Sequence, residues 1–164
     1  MARAFIITGS NSPEARELLA KALRLAGERL GRVTACSQVR RSRAWGFEAA
    51  DFYNQVLQLD TELAPGELLE AALRTEQLLG RDRSAEKEEK QRTGQRYASR
   101  TMDIDILFYD DTVMQTPQLT LPHPQIEHRL FVLEPLAEIA PDMRHPLTGL
   151  TVNEMILQLK EQQG

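Results

Sequence analysis

Along this chain, segments in which apolar residues recur every second position, or form short runs, are interspersed with segments in which they recur every three or four positions. Short apolar or alternating runs predict strands, and stripes that repeat every three or four residues predict helices. The first helix has a full start signal, because Ser12 can cap it, Pro13 suits its first position and Glu14 suits its positive end. The predicted elements are a strand over 4–8, a helix from Ser12 to Gly27 or Gly31, strands over 33–39 and 52–63, a helix from Ala64 to Gly80, a strand over 102–109, and helical segments over 126–139 and 152–159.

The order of these elements predicts the fold class. A β-α-β-β-α-β order with helical additions at its end is the split βαβ arrangement. We therefore expect an α+β, ferredoxin-like βαββαβ core, with helices on one face of a four-stranded, mainly antiparallel sheet, plus C-terminal helices. Pro135 is expected to break or restart its helix, because proline has no N–H donor. Residues 1–164 contain no repeat or linker, which predicts a single domain. The expected buried stripe of the second helix is Leu68, Leu69, Ala72, Leu73 and Leu79.

Composition and charge narrow the class of protein. The 164 residues are 41% hydrophobic and 27% charged, as in a globular domain with a sizeable core. A net charge of −4 argues against general nucleic-acid binding. Cys36 is the single cysteine, the first residues carry no signal-peptide pattern, and no apolar run is long enough for a membrane span. We therefore expect a cytoplasmic monomer that binds small molecules, with no nucleic-acid and no membrane partner.

The last predicted strand carries acids in an alternating pattern. Asp103 and Asp105 fall on one face of it. Ile104 and Ile106 fall on the other face and predict a central, buried strand, in which unpaired carboxylates would be costly. A pair of oxygen ligands suits Mg²⁺, and arginines just upstream could meet the phosphates of such a metal. These arginines are Arg96 and Arg100. The pattern favours metal-assisted phosphate chemistry over the simpler interpretation of two solvent-facing carboxylates.

A long charged segment precedes this strand. Residues 81–96 contain one apolar residue and cannot bury themselves, so a solvated loop is the simplest interpretation. Loops of this length are uncommon unless they are disordered or functional, and lids over active sites are a regular use. Arginines at both ends and acids in the middle favour a lid whose ends face phosphates. The arginines are Arg81, Arg83, Arg92 and Arg96.

Three further features are ambiguous on their own. His123 lies between two prolines, where it is either a fixed structural residue or a donor to a phosphate oxygen. Gly9-Ser10-Asn11 is either a plain turn or part of a ligand site, and it falls well short of a phosphate loop. Aromatic residues near Asn54 are either core or a stacking surface for a flat heterocycle. They are Trp45, Phe47, Phe52 and Tyr53.

These features leave several functions open. One is a Mg²⁺-dependent nucleotidyl or phosphoryl transferase that uses a strand Asp-x-Asp. The non-catalytic alternatives on the same fold are a small-molecule sensor and an RNA-binding module. A sensor predicts an apolar or glycine-rich ligand site, and an RNA-binding module predicts exposed aromatic residues on a basic sheet. Acids on the expected central strand argue against the RNA-binding alternative.

Several separated motifs together resemble one family. They are Gly9-Ser10-Asn11, Phe52-Tyr53-Asn54, Glu76 through Arg83, Ser99 through Leu107, Leu121-Pro122-His123-Pro124, and Arg129 through Pro141. In this order and spacing, over nearly the full length, the chain is similar to the 6-hydroxymethyl-7,8-dihydropterin pyrophosphokinase family of folate biosynthesis. The resemblance implies transfer of the β,γ-pyrophosphoryl group of ATP to the hydroxymethyl group of the pterin, with release of AMP. It also implies two Mg²⁺ ions, with ATP as co-substrate.

The resemblance implies roles for individual residues. Asp103 and Asp105 would hold the metal ions, and Arg81 and Arg100 would complete the catalytic set. The implied ATP-binding residues are Arg81, Arg83, Arg96, Tyr97, Arg100, Ile106, Thr120, His123 and Arg129. The implied pterin-binding residues are Ser42, Trp45, Phe52, Asn54, Asp103 and Phe131.

Two segments depart from the family pattern. Residues 40–46 are Arg-Arg-Ser-Arg-Ala-Trp-Gly in place of a Thr-Pro-rich form. Tyr97-Ala98-Ser99 stands where Trp-Gly-Pro often precedes the arginine of the Asp strand, so the expected lid can hinge differently. Neither departure touches the expected metal ligands.

Overall fold

The computed structural model describes residues 1–42, 51–80 and 102–163. Expectations that concern residues 43–50 and 81–101 therefore lie outside the described residues. They include the lid and a group of expected ligand-binding side chains. The residues of that group are Trp45, Arg81, Arg83, Arg96, Tyr97 and Arg100.

Every predicted element has a counterpart in the described ranges. The strands are β1 (Ala2–Ser10), β2 (Arg32–Cys36), β3 (Arg40–Ser42), β4 (Phe52–Thr61), β5 (Asp103–Tyr109), β6 (Met114–Gln115) and β7 (Thr120–Leu121). The helices are α1 (Ala15–Arg29), α2 (Pro65–Leu78), α3 (Leu130–Ile139) and α4 (Val152–Gln163), with a 3-10 helix at Ile126–His128. Of the helices in these ranges, none has the length and apolar character needed to cross a membrane.

The main sheet has the order β2-β4-β1-β5, and β3 also pairs with β4. All of these pairings are antiparallel. Helices α1 and α2 pack on one face around Ile6 and Ile106, and α3 and α4 pack on the other around Phe5 and Phe108. Because both faces of β1 are covered, its residues from Ala4 to Ser10 are all buried. The predicted ferredoxin-like core with added C-terminal helices is confirmed, and β3 makes the sheet five-stranded rather than four-stranded.

Within residues 1–42, 51–80 and 102–163, strand β5 lies at an edge of the sheet, so the expectation of a central strand is wrong for this part of the chain. Its apolar residues are buried because helices cover both sheet faces, not because strands flank it on both sides. Other groups cover its outer backbone edge. Ile104 N donates to Glu76 Oε2 at 2.8 Å, and His123 N donates to Leu107 O at 2.9 Å. These bonds satisfy backbone groups that would otherwise be open to pairing with another chain.

Helix α3 continues through Pro135, contrary to the expectation of a break there. The interruption lies earlier, at Arg129, which is extended (φ −129°, ψ 100°) between the 3-10 helix and α3. Proline removes a single helical bond, the one to the carbonyl group of Phe131. The packing of one helix face holds α3 together across that position. The buried residues of this face are Val132, Leu133, Pro135 and Leu136.

Helix α2 buries most of the predicted stripe. Leu68, Ala72 and Leu79 are buried as expected and Leu69 is half-buried, but Leu73 is 37% exposed. Two polar residues, Thr75 and Glu76, are buried as well. Positions four residues apart lie on one side of a helix, so Glu76 follows Leu68 and Ala72 on the core-facing side. A carboxylate therefore stands within an apolar stripe, where it needs polar partners.

His145 is a buried histidine in the loop before α4. Its side chain is 3% exposed and its ring packs edge-on against Phe108. Its Nδ1 accepts hydrogen bonds from Leu147 N (3.2 Å) and Thr148 N (3.3 Å), and its Nε2 lies 3.3 Å from the Glu127 carboxylate. Burial lowers the pKa of His145, while Glu127 acts in the opposite direction. The imidazole is therefore neutral near pH 7, with its proton on Nε2.

We expect His145 to make the fold less stable as the pH falls. The unfolded chain takes up a proton at the ordinary histidine pKa of about 6.5, whereas the folded chain resists protonation. The stabilisation is therefore fully present above about pH 6.5 and is lost as the pH falls towards the lowered folded-state pKa. Replacing His145 by phenylalanine should flatten the decrease of Tm between about pH 7.5 and about pH 5 in thermal unfolding.

The matched control is His128→Gln, because His128 is exposed and lies in the same 3-10 helix as Glu127. This variant should keep the wild-type slope of Tm against pH. Some slope should also persist in His145→Phe, since burial lowers the pKa of His123 as well. A slope in His145→Phe as steep as in the wild type would contradict the role given to His145.

Candidate active site

One row of residues crosses four strands near the end of the sheet where β5 begins. The register pairs Arg40 with Asn54, Asn54 with Gly9, and Gly9 with Asp103. Residues that pair directly in an antiparallel sheet lie on the same face. An amide, a glycine and a carboxylate therefore stand side by side on β4, β1 and β5. This row brings together residues that are far apart along the chain.

Asp103 and Asp105 share the sheet face on which α3 and α4 pack. Asp105 pairs with Ile7, and Ile7 belongs to the core formed with these two helices. Both aspartates are half-buried, whereas Ile104 between them is buried on the opposite face with α1 and α2. The alternation expected from the sequence is present. Two positions along a strand place the Cα atoms about 7 Å apart, so both carboxylates can reach one ligand.

The two carboxylates fit a divalent metal ion that is bound together with phosphates. Mg²⁺ prefers oxygen ligands, and one or two carboxylates commonly hold it while waters and substrate phosphates complete its shell. Within residues 1–42, 51–80 and 102–163, no three His, Cys, Asp or Glu side chains come together as a metal site. A metal at Asp103 and Asp105 would therefore need further ligands other than His, Cys, Asp and Glu side chains of these ranges.

Glu76 holds the strand between the two aspartates. Its side chain is 2% exposed, and its Oε2 accepts the hydrogen bond from Ile104 N at 2.8 Å. Because Ile104 lies between Asp103 and Asp105, this bond fixes the backbone from which both carboxylates project. Sequence reasoning assigned no role to Glu76. The available signal was a carboxylate on the apolar stripe of α2.

Gly9 lies between Asn54 and Asp103 in this row, and its lack of a side chain makes room for the Asn54 amide. A Cβ atom at position 9 would lie 2.5 Å from Asn54 Oδ1, so the amide leans over the glycine. Asn54 is 6% exposed, and its Nδ2 donates to Ser42 Oγ at 3.2 Å. Phe52 pairs with Ser42 and lies half-buried at the start of β4. Two strand spacings, about 10 Å, separate the backbones of Asn54 and Asp103, which is room for one flat heterocycle.

His123 lies beside β5 with a neutral imidazole. Burial lowers the pKa of His123, the Arg129 guanidinium lowers it further, and Asp103 acts in the opposite direction. Its Nδ1 accepts a hydrogen bond from Gln125 N at 3.2 Å. The proton of the neutral ring is therefore on Nε2, which is a donor suited to a phosphate oxygen. The charges of Arg129 and Asp103 thus both act on the pKa of His123.

The remaining described candidates lie in two different environments. Arg129 and Phe131 are adjacent at the start of α3, with the guanidinium 5.6 Å from the ring centroid, and Phe131 is 37% exposed. An exposed aromatic ring of this kind can stack on a heterocycle. Thr120 is half-buried in β7 opposite Gln115. The Ile106 side chain is 3% exposed and packs with α1 and α2, on the sheet face opposite the aspartates.

An ion pair joins the two ends of the undescribed segment 43–50. Arg41 Nη2 lies 2.5 Å from Asp51 Oδ2, and Arg41 Nε donates to the same oxygen at 2.7 Å. Arg41 belongs to β3, and Asp51 immediately precedes β4. The pair therefore ties β3 to the residue that precedes β4. Sequence reasoning did not predict this pairing.

Comparison of sequences gives a consistent family. The model of the 7,8-dihydro-6-hydroxymethylpterin-pyrophosphokinase (HPPK) family matches residues 5–141. The chain is 41% identical over 127 residues to the 2-amino-4-hydroxy-6-hydroxymethyldihydropteridine pyrophosphokinase of Synechocystis sp.. The matched residues cover 77% of this chain and 60% of that protein. It is 38% identical over 161 residues to the protein of the same name from Methylorubrum extorquens, covering 97% of this chain and 94% of the relative.

Comparison of structures supports the fold. The crystal structure of HPPK-DHPS in complex with substrates matches with a TM-score of 0.71 at 14% identity, covering 98% of this chain and 44% of that one. A triple mutant of Plasmodium falciparum HPPK-DHPS matches with a TM-score of 0.72 at 16% identity, covering 98% of this chain and 44% of that one. The chain thus spans less than half of these proteins, and at this identity the likeness establishes the fold alone.

Proposed function

The chain belongs to the 7,8-dihydro-6-hydroxymethylpterin-pyrophosphokinase family, and we propose that it transfers a pyrophosphoryl group from ATP to 6-hydroxymethyl-7,8-dihydropterin. The products are AMP and the pterin diphosphate of folate biosynthesis. The observation that carries the proposal is the row of Asn54, Gly9 and Asp103 on one sheet face. The row places an amide that can recognise a heterocycle, a residue without a side chain and a carboxylate next to one another.

The pterin ring is proposed to lie between Asn54 and β5, with its polar edge at Asn54. A carboxamide offers both a donor and an acceptor, as the edge of a pterin does. The hydrogen bond to Ser42 orients the Asn54 amide. Because this amide is buried, a heterocycle that left it without a hydrogen-bond partner would be costly to bind. Phe52 and Phe131 are the proposed aromatic contacts with the ring faces. This arrangement directs the hydroxymethyl group towards β5.

The reaction requires alignment more than covalent participation by the protein. The hydroxymethyl oxygen attacks the β-phosphorus of ATP, and the bond from that phosphorus to the oxygen bridging the α-phosphate breaks. The hydroxymethyl proton is released, and the bridging oxygen leaves with AMP. Catalysis of such a transfer comes from positioning the two reactants and from stabilising phosphate charge.

Asp103 and Asp105 are the proposed holders of two Mg²⁺ ions. When bound, Mg²⁺ neutralises triphosphate charge and lowers the pKa of the attacking hydroxyl group. The protein contributes a fixed pair of carboxylates, because Glu76 holds the Ile104 backbone between them. Gly9 contributes by adding no side chain of its own beside Asp103.

The ATP side of the site is proposed to contain His123 and Arg129. The Nε2–H group of His123 and the guanidinium of Arg129 can both donate to phosphate oxygens. The other expected ATP-binding residues stay predictions. These are Arg81, Arg83, Arg96, Tyr97, Arg100, Ile106 and Thr120. A single domain over residues 1–164, a monomeric state and a cytoplasmic location also stay predictions.

The proposed activity is tested by incubating the chain with 6-hydroxymethyl-7,8-dihydropterin, ATP and Mg²⁺. We expect AMP and the pterin diphosphate in equal amounts, measured by chromatography. Reactions without pterin and reactions with EDTA should form no AMP. ADP or free pyrophosphate as the pterin-dependent product would instead indicate another phosphoryl or nucleotidyl transferase, and the absence of any turnover would overturn the proposal.

A further inference from the structure

Glu138, near the end of α3, accepts two hydrogen bonds from one short stretch of chain. Its Oε1 accepts from Gln38 N at 3.0 Å, and its Oε2 accepts from Arg40 Nε at 2.6 Å. Although burial acts to raise the pKa of Glu138, the bonds from Gln38 N and Arg40 lower it overall. The carboxylate is therefore ionised at neutral pH, and it clamps the start of β3 to α3.

The two sides of this clamp carry different parts of the proposed pterin site. On one side, β3 pairs with β4, so that Arg40 lies opposite Asn54 and Ser42 lies opposite Phe52. On the other side, Glu138 follows Phe131 by seven residues on α3. Seven residues are about two helical turns, which puts both side chains on one stripe about 10 Å apart.

The clamp is attached to a fixed part of the sheet. Ser37, next to Gln38, is 3% exposed. Its carbonyl oxygen accepts a hydrogen bond from Gln55 Nε2 at 2.8 Å, and its Oγ accepts one from Val56 N at 3.0 Å. The stretch before β3 is thus bonded to β4 on one side and to Glu138 on the other. Glu138 therefore couples the position of α3 to the position of β3 and of β4, with which β3 pairs.

We infer that Glu138 is a positioning residue, which sets the separation between the β3–β4 hairpin and α3 and thereby the fit of the pterin between Asn54 and Phe131. This inference rests on the proposed function of the site. Glu138 itself does not need to contact a substrate. The Arg40–Glu138 pair is partly exposed, at 43% and 24% of the two side chains, so it contributes little to overall stability. Its loss should consequently affect the ligand more than the fold.

The test compares Glu138→Ala with Glu138→Gln and with the control Glu134→Ala. Glutamine keeps an acceptor for Gln38 N, and Glu134 lies one turn earlier on the same helix. Steady-state kinetics should show that Glu138→Ala raises KM for the pterin about five- to tenfold, the size of a partly screened charge-assisted bond. KM for ATP and kcat should stay within about twofold, Glu138→Gln should recover part of the loss, and the control should match the wild type.

Hydrogen exchange of the amides of residues 40–42, without ligand, tests the clamp independently of activity. These amides should exchange faster in Glu138→Ala than in the wild type or in Glu134→Ala. Unchanged exchange would overturn the inference, even if the wild type is active. Equal increases in both KM values, or a pterin KM that follows the loss of Tm, would also overturn it. A wild type that forms no AMP would overturn the proposed function, whereas the exchange result would still decide whether the clamp exists.

Discussion

Asparagine in place of Asp103 or Asp105 is expected to lower kcat/KM for AMP formation by about a thousandfold or more, since each change removes one of the carboxylates proposed to hold the Mg²⁺ that neutralises the triphosphate. Both side chains lie on one face of β5, which is an edge strand among the described residues. Asparagine has nearly the same shape as aspartate, so the sheet register should persist. The loss should therefore appear in catalysis and metal binding and not in folding.

Three measurements check this result. AMP is quantified by chromatography over a range of Mg²⁺ concentrations, Mn²⁺ binding is followed as a spectroscopic substitute for Mg²⁺, and Tm reports on the fold. Asp111→Asn is the matched control, because Asp111 is an exposed acid in the turn that follows the same strand. This control should keep wild-type activity. Retained Mg²⁺-dependent turnover in both Asp103→Asn and Asp105→Asn would show that the metal binds elsewhere.

Gly9→Ala is expected to raise KM for the pterin by tenfold or more, about the cost of displacing a well-packed polar contact. The new Cβ would lie 2.5 Å from Asn54 Oδ1. The amide can move away only by giving up its bond to Ser42, because Asn54 is 6% exposed and closely surrounded. We expect a loss of stability of about 1–3 kcal/mol from this overpacking.

The effect of Gly9→Ala should be specific to the pterin. Binding of Mg²⁺ and a non-hydrolysable ATP analogue, measured by calorimetry, should change by less than about threefold, since the displaced amide is proposed to contact the pterin and not ATP. Gly66→Ala is the control, because no heavy atom lies within 4 Å of a Cβ added there. A wild-type KM for the pterin in Gly9→Ala would show that Asn54 does not recognise the ring as proposed.

Local patterns predict the elements well because they depend on which face of an element is buried. The alternation in β5 holds although the strand lies at an edge and not at the centre of the sheet. Helices on both sheet faces bury Ile104 and Phe108 as thoroughly as flanking strands would. The same pattern therefore cannot distinguish a central strand from a covered edge strand.

Local patterns fail where a side chain has its partner in a distant element. The apolar stripe on α2 predicted that Leu73 is buried, but Leu73 is exposed and Glu76 is buried. The partner of Glu76 is Ile104 N, 28 positions away, which needs a hydrogen-bond acceptor. Pro135 suggested a break in α3, yet the packing of its buried face carries the helix through that residue. In both cases tertiary contacts outweigh the local preference.

The sequence by itself determined the order of strands and helices, the shared face of Asp103 and Asp105, and the resemblance to one family, because each of these depends on periodicity and motif order along the chain. Only the tertiary structure decided that Asn54, Gly9 and Asp103 form one row, since strand register is a relation between separate strands. The clamp of Glu138 on Arg40 likewise joins residues 98 positions apart, and only the docking of α3 beside β3 brings them together.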